Sequence, residues 1–235
     1  MKTTKILLGA LRISALIALF AVAMPAKAQT VNVNFNGNGD TYTGTGAASD
    51  MGTYWNSATS APFTAKTFSP LLNSTGGSST VAVTMTNPDT ANPYDASVNN
   101  PAPFANPLLS DEFYGQTATI ELTGLTAGAT YNLYLYSENG GYNSNLTTFT
   151  FGTAKTVSNG GSEASFVNGG NYVEFTLVAN GLGDITGTEN NAVNGLQVQF
   201  VSAPVGAPEP ASLATMSLVG MALLMFCKRF KKQSV

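Results

Sequence analysis

The chain has 235 residues, no histidine, one cysteine and a formal charge of −3 at pH 7. Without histidine, Ser-His-Asp and Cys-His nucleophile activation, most zinc sites and the usual general base near neutral pH are excluded. The charge is unevenly spread: residues 29–207 hold twelve acidic residues against only Lys66 and Lys155, a formal −10 with none of the clustered Lys and Arg that a nucleic-acid surface needs.

At the amino terminus, Lys2, Lys5 and Arg12 lead into an apolar stretch from Ile13 to Met24, and Ala26-Lys27-Ala28 follows. This layout predicts a secretory signal peptide over residues 1–28, cut after Ala28. Its apolar core of roughly a dozen residues is short of the ~20 that cross a bilayer.

Residues 29–202 read as one domain of strands. Period-two alternation runs through Val31 to Phe35, Thr80 to Thr86, Ala118 to Thr123, Thr130 to Ser137, Thr147 to Phe151, Asn171 to Val178 and Gly195 to Val201. In each, β-branched or aromatic residues alternate with polar ones, as in strands with one buried face. The expected fold is all-β, an antiparallel β-sandwich or jelly roll. Its only stabilising resource is an apolar core, because the single Cys227 lies in the tail and excludes disulfides and thiolate metal sites from the body.

The connections carry the candidate sites. Asn36, Asn38 and Asp40 have the oxygen spacing of a calcium loop, but Ala47 stands where its bidentate Glu belongs, which excludes an EF-hand and leaves a turn as the plainer reading. The single tryptophan, Trp55, sits between Tyr54 and Asn56. Such a tryptophan is usually core; exposed, the trio Tyr54, Trp55 and Asn56 would be a carbohydrate platform, with rings to stack on a sugar and an amide to bond its hydroxyls. Phe113-Tyr114, following Asp111-Glu112, reads the same two ways.

Asn87 to Ser110, with Pro88, Pro93, Pro101, Pro103 and Pro107, predicts a long surface loop. Leu125 and Tyr131 flank a turn at Ala127-Gly128, the pattern of a tyrosine corner between two sheets. In the strand that follows, Tyr131, Leu133 and Leu135 share one phase and Asn132, Tyr134 and Tyr136 the other, so the second face is either covered or sticky. Glu121, Glu174 and Asp184 are the carboxylates that glycosidase chemistry would need, though the first two fall on the polar phase of strands, where solvated positions explain them. No catalytic set, metal site or cofactor is expected.

Residues 203–235 form the tail. Pro208, Glu209 and Pro210 favour an extended segment. Residues 211–227 carry no charge and as a helix would reach about 26 Å, the short limit for a span. Lys228, Arg229, Lys231 and Lys232 follow as a basic cluster that would stay cytoplasmic within the basic tail 228–235.

These three features in this order resemble the PEP-CTERM sorting signal. The resemblance covers about the last 28 residues and implies handling by a membrane enzyme, an exosortase, with cutting near the motif and release to the cell surface or extracellular matrix. The body is loosely similar to galactose-binding-like sandwiches in "SDEFYG", "GLTAGATYNLYLYS", "NYVEFTLV" and "NGLQVQF", a likeness that bears on fold rather than function. The expectation is an exported, non-enzymatic protein, briefly held in the inner membrane and then structural or adhesive in a polysaccharide-rich surface matrix or biofilm. A carbohydrate-binding module acting on exopolysaccharide is the alternative, and a carboxylate-only glycoside hydrolase is third.

Overall fold

The computed structural model describes residues 30–36, 42–48, 51–59, 63–87, 95–98, 106–109, 111–114, 117–138, 146–158 and 165–204, with the backbone alone at 95–98, 111 and 114. They belong to one compact unit, Ala28–Val205. The expected signal peptide, the Pro208-Glu209-Pro210 motif, the apolar run and the basic cluster lie outside the described residues.

The described residues form an all-β body with antiparallel sheets. Its strands are β1 (Val31–Phe35), β2 (Asn56–Ala58), β3 (Ala65–Phe68), β4 (Ala82–Thr86), β5 (Asp95–Val98), β6 (Asp111–Tyr114), β7 (Ala118–Thr123), β8 (Thr130–Tyr136), β9 (Thr147–Phe151), β10 (Thr153–Val157), β11 (Tyr172–Val178), β12 (Ile185–Asn190), β13 (Ala192–Val193) and β14 (Gly195–Ser202). A five-stranded sheet runs β11-β8-β14-β1-β2 and a six-stranded sheet β10-β9-β12-β7-β4-β3, with β13-β6-β5 as a small third sheet. One pairing departs from the antiparallel expectation, because β2 lies parallel to β1.

All seven alternating segments are strands, and their apolar phases meet. Val31, Val33, Leu133, Leu135, Phe175, Leu196 and Val198 from the first sheet pack with Val83, Met85, Ile120, Leu122, Phe149 and Phe151 from the second in one buried cluster. Two large sheets thus share a core, the arrangement of a β-sandwich. Between β7 in one sheet and β8 in the other, the backbone N–H of Thr126 donates to the hydroxyl of buried Tyr131 at 2.9 Å. The expected tyrosine corner is present.

The proline-rich segment differs from the loop expected of it. It contains β5, paired along one side only among the described residues, with β6, and a 3-10 turn at Pro107–Leu109 whose two leucines are wholly buried. An edge strand tolerates nearby prolines because only one of its sides donates to a ladder.

Candidate functional site: the outer face of the five-stranded sheet

The second phase of the central strands points away from the shared core and builds a face in cross-strand rows. Register places Thr176, Asn132 and Gln199 in one row. Glu174, Tyr134, Gln197 and Asn32 form the next, and Tyr172, Tyr136, Gly195 and Asn34 a third.

Part of this face is covered. Tyr42, Ala48, Met51, Trp55, Leu108 and Leu109 pack on Tyr134 and Tyr136 as a second apolar cluster, with Phe166 and Tyr172 at its margin. Tyr136 stands edge-on to Phe166 and to Trp55, their ring centroids 5.0 and 6.1 Å away. Gly195 lets the cover lie close to the sheet: a Cβ there would stand 3.0 Å from Leu108 Cδ1 and 3.6 Å from Trp55 Cζ3.

Beneath the cover the polar groups are locked together. The Tyr136 hydroxyl donates to Gln197 Oε1 and accepts from the Ala47 N–H at 2.7 Å. Gln197 Oε1 also accepts from the Ala48 N–H at 3.2 Å, while its Nε2 donates to Asn32 Oδ1 at 3.0 Å. Asn32 Nδ2 then donates to the Tyr54 carbonyl at 3.0 Å. Burial pushes the Tyr136 phenol well above its ordinary value; the Ala47 hydrogen bond opposes that push, and Tyr172, Tyr42 and Tyr134 add to it. The Tyr172 phenol is raised too, by burial first and then by neighbouring Glu174.

Away from the cover the face opens. Thr176 is exposed, and Asn132, Gln199, Glu174 and Tyr172 are half-buried. Thr176 Oγ1 donates to Asn132 Oδ1 at 2.8 Å. Asn132 Nδ2 and the Tyr134 hydroxyl both donate to Gln199 Oε1, at 3.5 and 3.3 Å.

The residues singled out from sequence do not assemble into one site. Trp55 is 2% exposed and its Nε1 donates to the Gly44 carbonyl at 2.9 Å, so its ring belongs to the cover. Asn56 is buried and exchanges hydrogen bonds with the backbone of Leu72 while donating to the Asn32 carbonyl. Of the trio only Tyr54, at 40%, opens to solvent, and an exposed Tyr54-Trp55-Asn56 platform is not formed. An indole needs its N–H satisfied when buried, and Gly44 supplies the acceptor.

Asn36 is buried and donates to Ser57 Oγ at 3.0 Å, whereas Asn38 and Asp40 lie outside the described residues. Phe113 is core, ringed by Phe35, Phe63 and Phe68. Glu121 lies between core residues Ile120 and Leu122, and Glu174 between core residues Val173 and Phe175. These two carboxylates therefore occupy outer faces of different sheets, with the core between them. Asp184 closes a surface turn, its N–H donating to Asn180 Oδ1 at 2.9 Å.

Sequence reasoning missed Gln197 and Gln199, and marked Asn132 only as part of the second face of its strand. Their signal was the polar phase of two strands, but which strands are neighbours was not written in either. Among the described residues no group of three or more His, Cys, Asp or Glu is placed to hold a metal ion, and no helix is long and apolar enough to cross a membrane.

No family model matches the chain, and no curated protein matches it. Among solved structures it is similar to a chain of the complex described as "Crystal structure of plant peptide RALF23 in complex with FER and LLG2", at 17% identity and a TM-score of 0.40 over 77% of this chain. The chain spans 41% of that neighbour's length.

Proposed function

We propose that this is an exported protein whose body, delivered by the signal peptide of residues 1–28, is held by the helix of residues 211–227 and then sorted by an exosortase-type enzyme. It then serves as a structural or adhesive element of a polysaccharide-rich cell surface or matrix. The observation that carries the reading is the order of features in the sequence after β14, which ends at Ser202: Pro208-Glu209-Pro210, then the uncharged run 211–227, then Lys228, Arg229, Lys231 and Lys232. A segment with that order of extended motif, apolar run and cations is then explained by membrane handling. The acidic, disulfide-free composition of residues 29–207 suits an exported body that stays soluble by charge and folds on its apolar core alone.

The test replaces Pro208, Glu209 and Pro210 by alanine and follows the protein by fractionation and mass. Full-length protein accumulating in the inner membrane is the expected result. Unchanged size and unchanged release would reduce the tail to a plain anchor.

A second reading, a carbohydrate-binding module, is favoured by the open part of the five-stranded sheet. Amides, a hydroxyl and tyrosines stand there on rigid strands, the chemistry by which proteins hold sugars.

A further inference from the structure

We propose that the open row Thr176, Asn132 and Gln199, with Tyr134 and Tyr172 at its covered side, binds a neutral polysaccharide chain; this rests on the carbohydrate reading above and moves its site away from Tyr54-Trp55-Asn56. Four observations carry it.

The first is the quality of the hydrogen bonds. Under the cover, bonds at 2.7 to 3.2 Å fix Tyr136, Gln197 and Asn32. In the open row Thr176 Oγ1 holds Asn132 Oδ1 at 2.8 Å, but the two bonds to Gln199 Oε1 are 3.5 and 3.3 Å, at the outer limit for such contacts. A ligand hydroxyl can replace these two long contacts with shorter ones.

The second is spacing. The row crosses β11, β8 and β14, which are adjacent. Neighbouring strands lie about 4.8 Å apart, close to the length of one sugar ring, so successive residues of a chain laid across the strands meet successive polar groups.

The third is charge. Amides and a threonine hydroxyl both donate and accept without charge, as sugar hydroxyls do. Glu174 is the carboxylate of the neighbouring row, and residues 29–207 carry a formal −10. An anionic polymer or an anionic lipid surface is repelled, and a neutral glycan is not.

The fourth is rigidity. Asn132, Gln199 and Thr176 sit on paired strands rather than loops, so little freedom is lost on binding. Tyr172, half-buried and 6.2 Å from the Tyr134 ring, offers an aromatic margin where the cover ends.

The experiment uses the full chain in detergent micelles and measures retardation in native gels containing dextran, laminarin or galactomannan, with anionic alginate as the contrast. Trp55, buried in the cover, reports the fold of every variant by its emission. At least one neutral glycan is expected to retard the protein. Asn132→Ala with Gln199→Ala should weaken that retardation at least tenfold, and Tyr54→Ala should leave it unchanged. If the double variant loses its native emission, Thr176→Val at the exposed edge takes its place, with a smaller loss expected.

Retardation that survives these changes, or that disappears in Tyr54→Ala, overturns the location while keeping the carbohydrate reading. Retardation by alginate alone overturns the neutral ligand. With no retardation by any glycan, the carbohydrate reading itself fails, and the sorting proposal is untouched.

Discussion

Tyr136 shows what a single side chain does in this body. Its phase within β8 points it away from the shared core, yet it is wholly buried, because the segments around Ala47, Trp55 and Leu108 close over it. A phenol can be buried cheaply only if its oxygen is satisfied, and Ala47 and Gln197 satisfy it. Tyr136→Phe removes both bonds and leaves Gln197 short of a donor, which should cost about 1–3 kcal/mol. Urea unfolding followed by Trp55 emission measures that loss as a lower midpoint at pH 7. The same variant tests the titration. The folded phenol is raised above its free value of about 10, so its contribution is whole below pH 10 and is lost as pH rises towards the folded value. Tyr42 and Tyr172 are shifted in the same direction and keep part of the slope. The wild type should therefore lose stability from about pH 10 upward, and Tyr136→Phe should lose it less steeply. Equal slopes would remove Tyr136 from the account.

At the scale of elements, the cover explains how a sheet face with two tyrosines avoids being sticky. Leu108 and Leu109 come from the proline-rich segment, Trp55 and Met51 from the connection before β2, and each alone is too short to form a layer. Leu108→Ala should cost about 2–4 kcal/mol, the loss of a buried leucine plus the cavity it leaves. It should also shift Trp55 emission to the red, because Leu108 and Trp55 stand side by side over Gly195. A destabilised variant with unchanged emission would mean that the cover is not one unit.

Element by element, the sequence was legible where alternation was strong and local. The strand that begins at Thr130 could be divided into its two faces, and the tyrosine corner could be seen from Leu125 and Tyr131. It was illegible where pairing supplied the order. The strand Asp95–Val98 lies between prolines and is held by its pairing with β6. In β12 the inward Gly187 breaks the apolar alternation, and Phe151 of β9 fills the gap, for a Cβ at Gly187 would stand 2.4 Å from that ring. The candidate site was illegible for the same reason. Gln197 and Asn32 are bonded across 165 positions of chain, and no local pattern announces that β1 lies beside β14.

That pairing also sets the polarity of the whole body. Val31 opposes Val198 in an antiparallel register, so the start of β1 and the end of β14 lie at the same end. The chain enters and leaves there, beside the turns at Thr126 and Asn180 that bond to β8 and β12 or flank them. Asn194, Glu138 and Glu112 stand at the opposite end, where β14 begins. Thr30 and Ser202, which flank the β1–β14 pair, thus lie at one pole of the body. The geometry is directly measurable, because the body has no cysteine of its own and Cys227 can be replaced by serine. Spin labels on Thr30→Cys and Ser202→Cys are separated by about three residues along the strands and one strand spacing, roughly 11 Å between backbones. Label arms lengthen this, so a pulsed electron-spin distance below about 25 Å is expected from the same strand geometry. A separation comparable to the length of the body would break the β1–β14 pairing, and with it the rows on which Gln197, Tyr136 and the open polar strip are aligned.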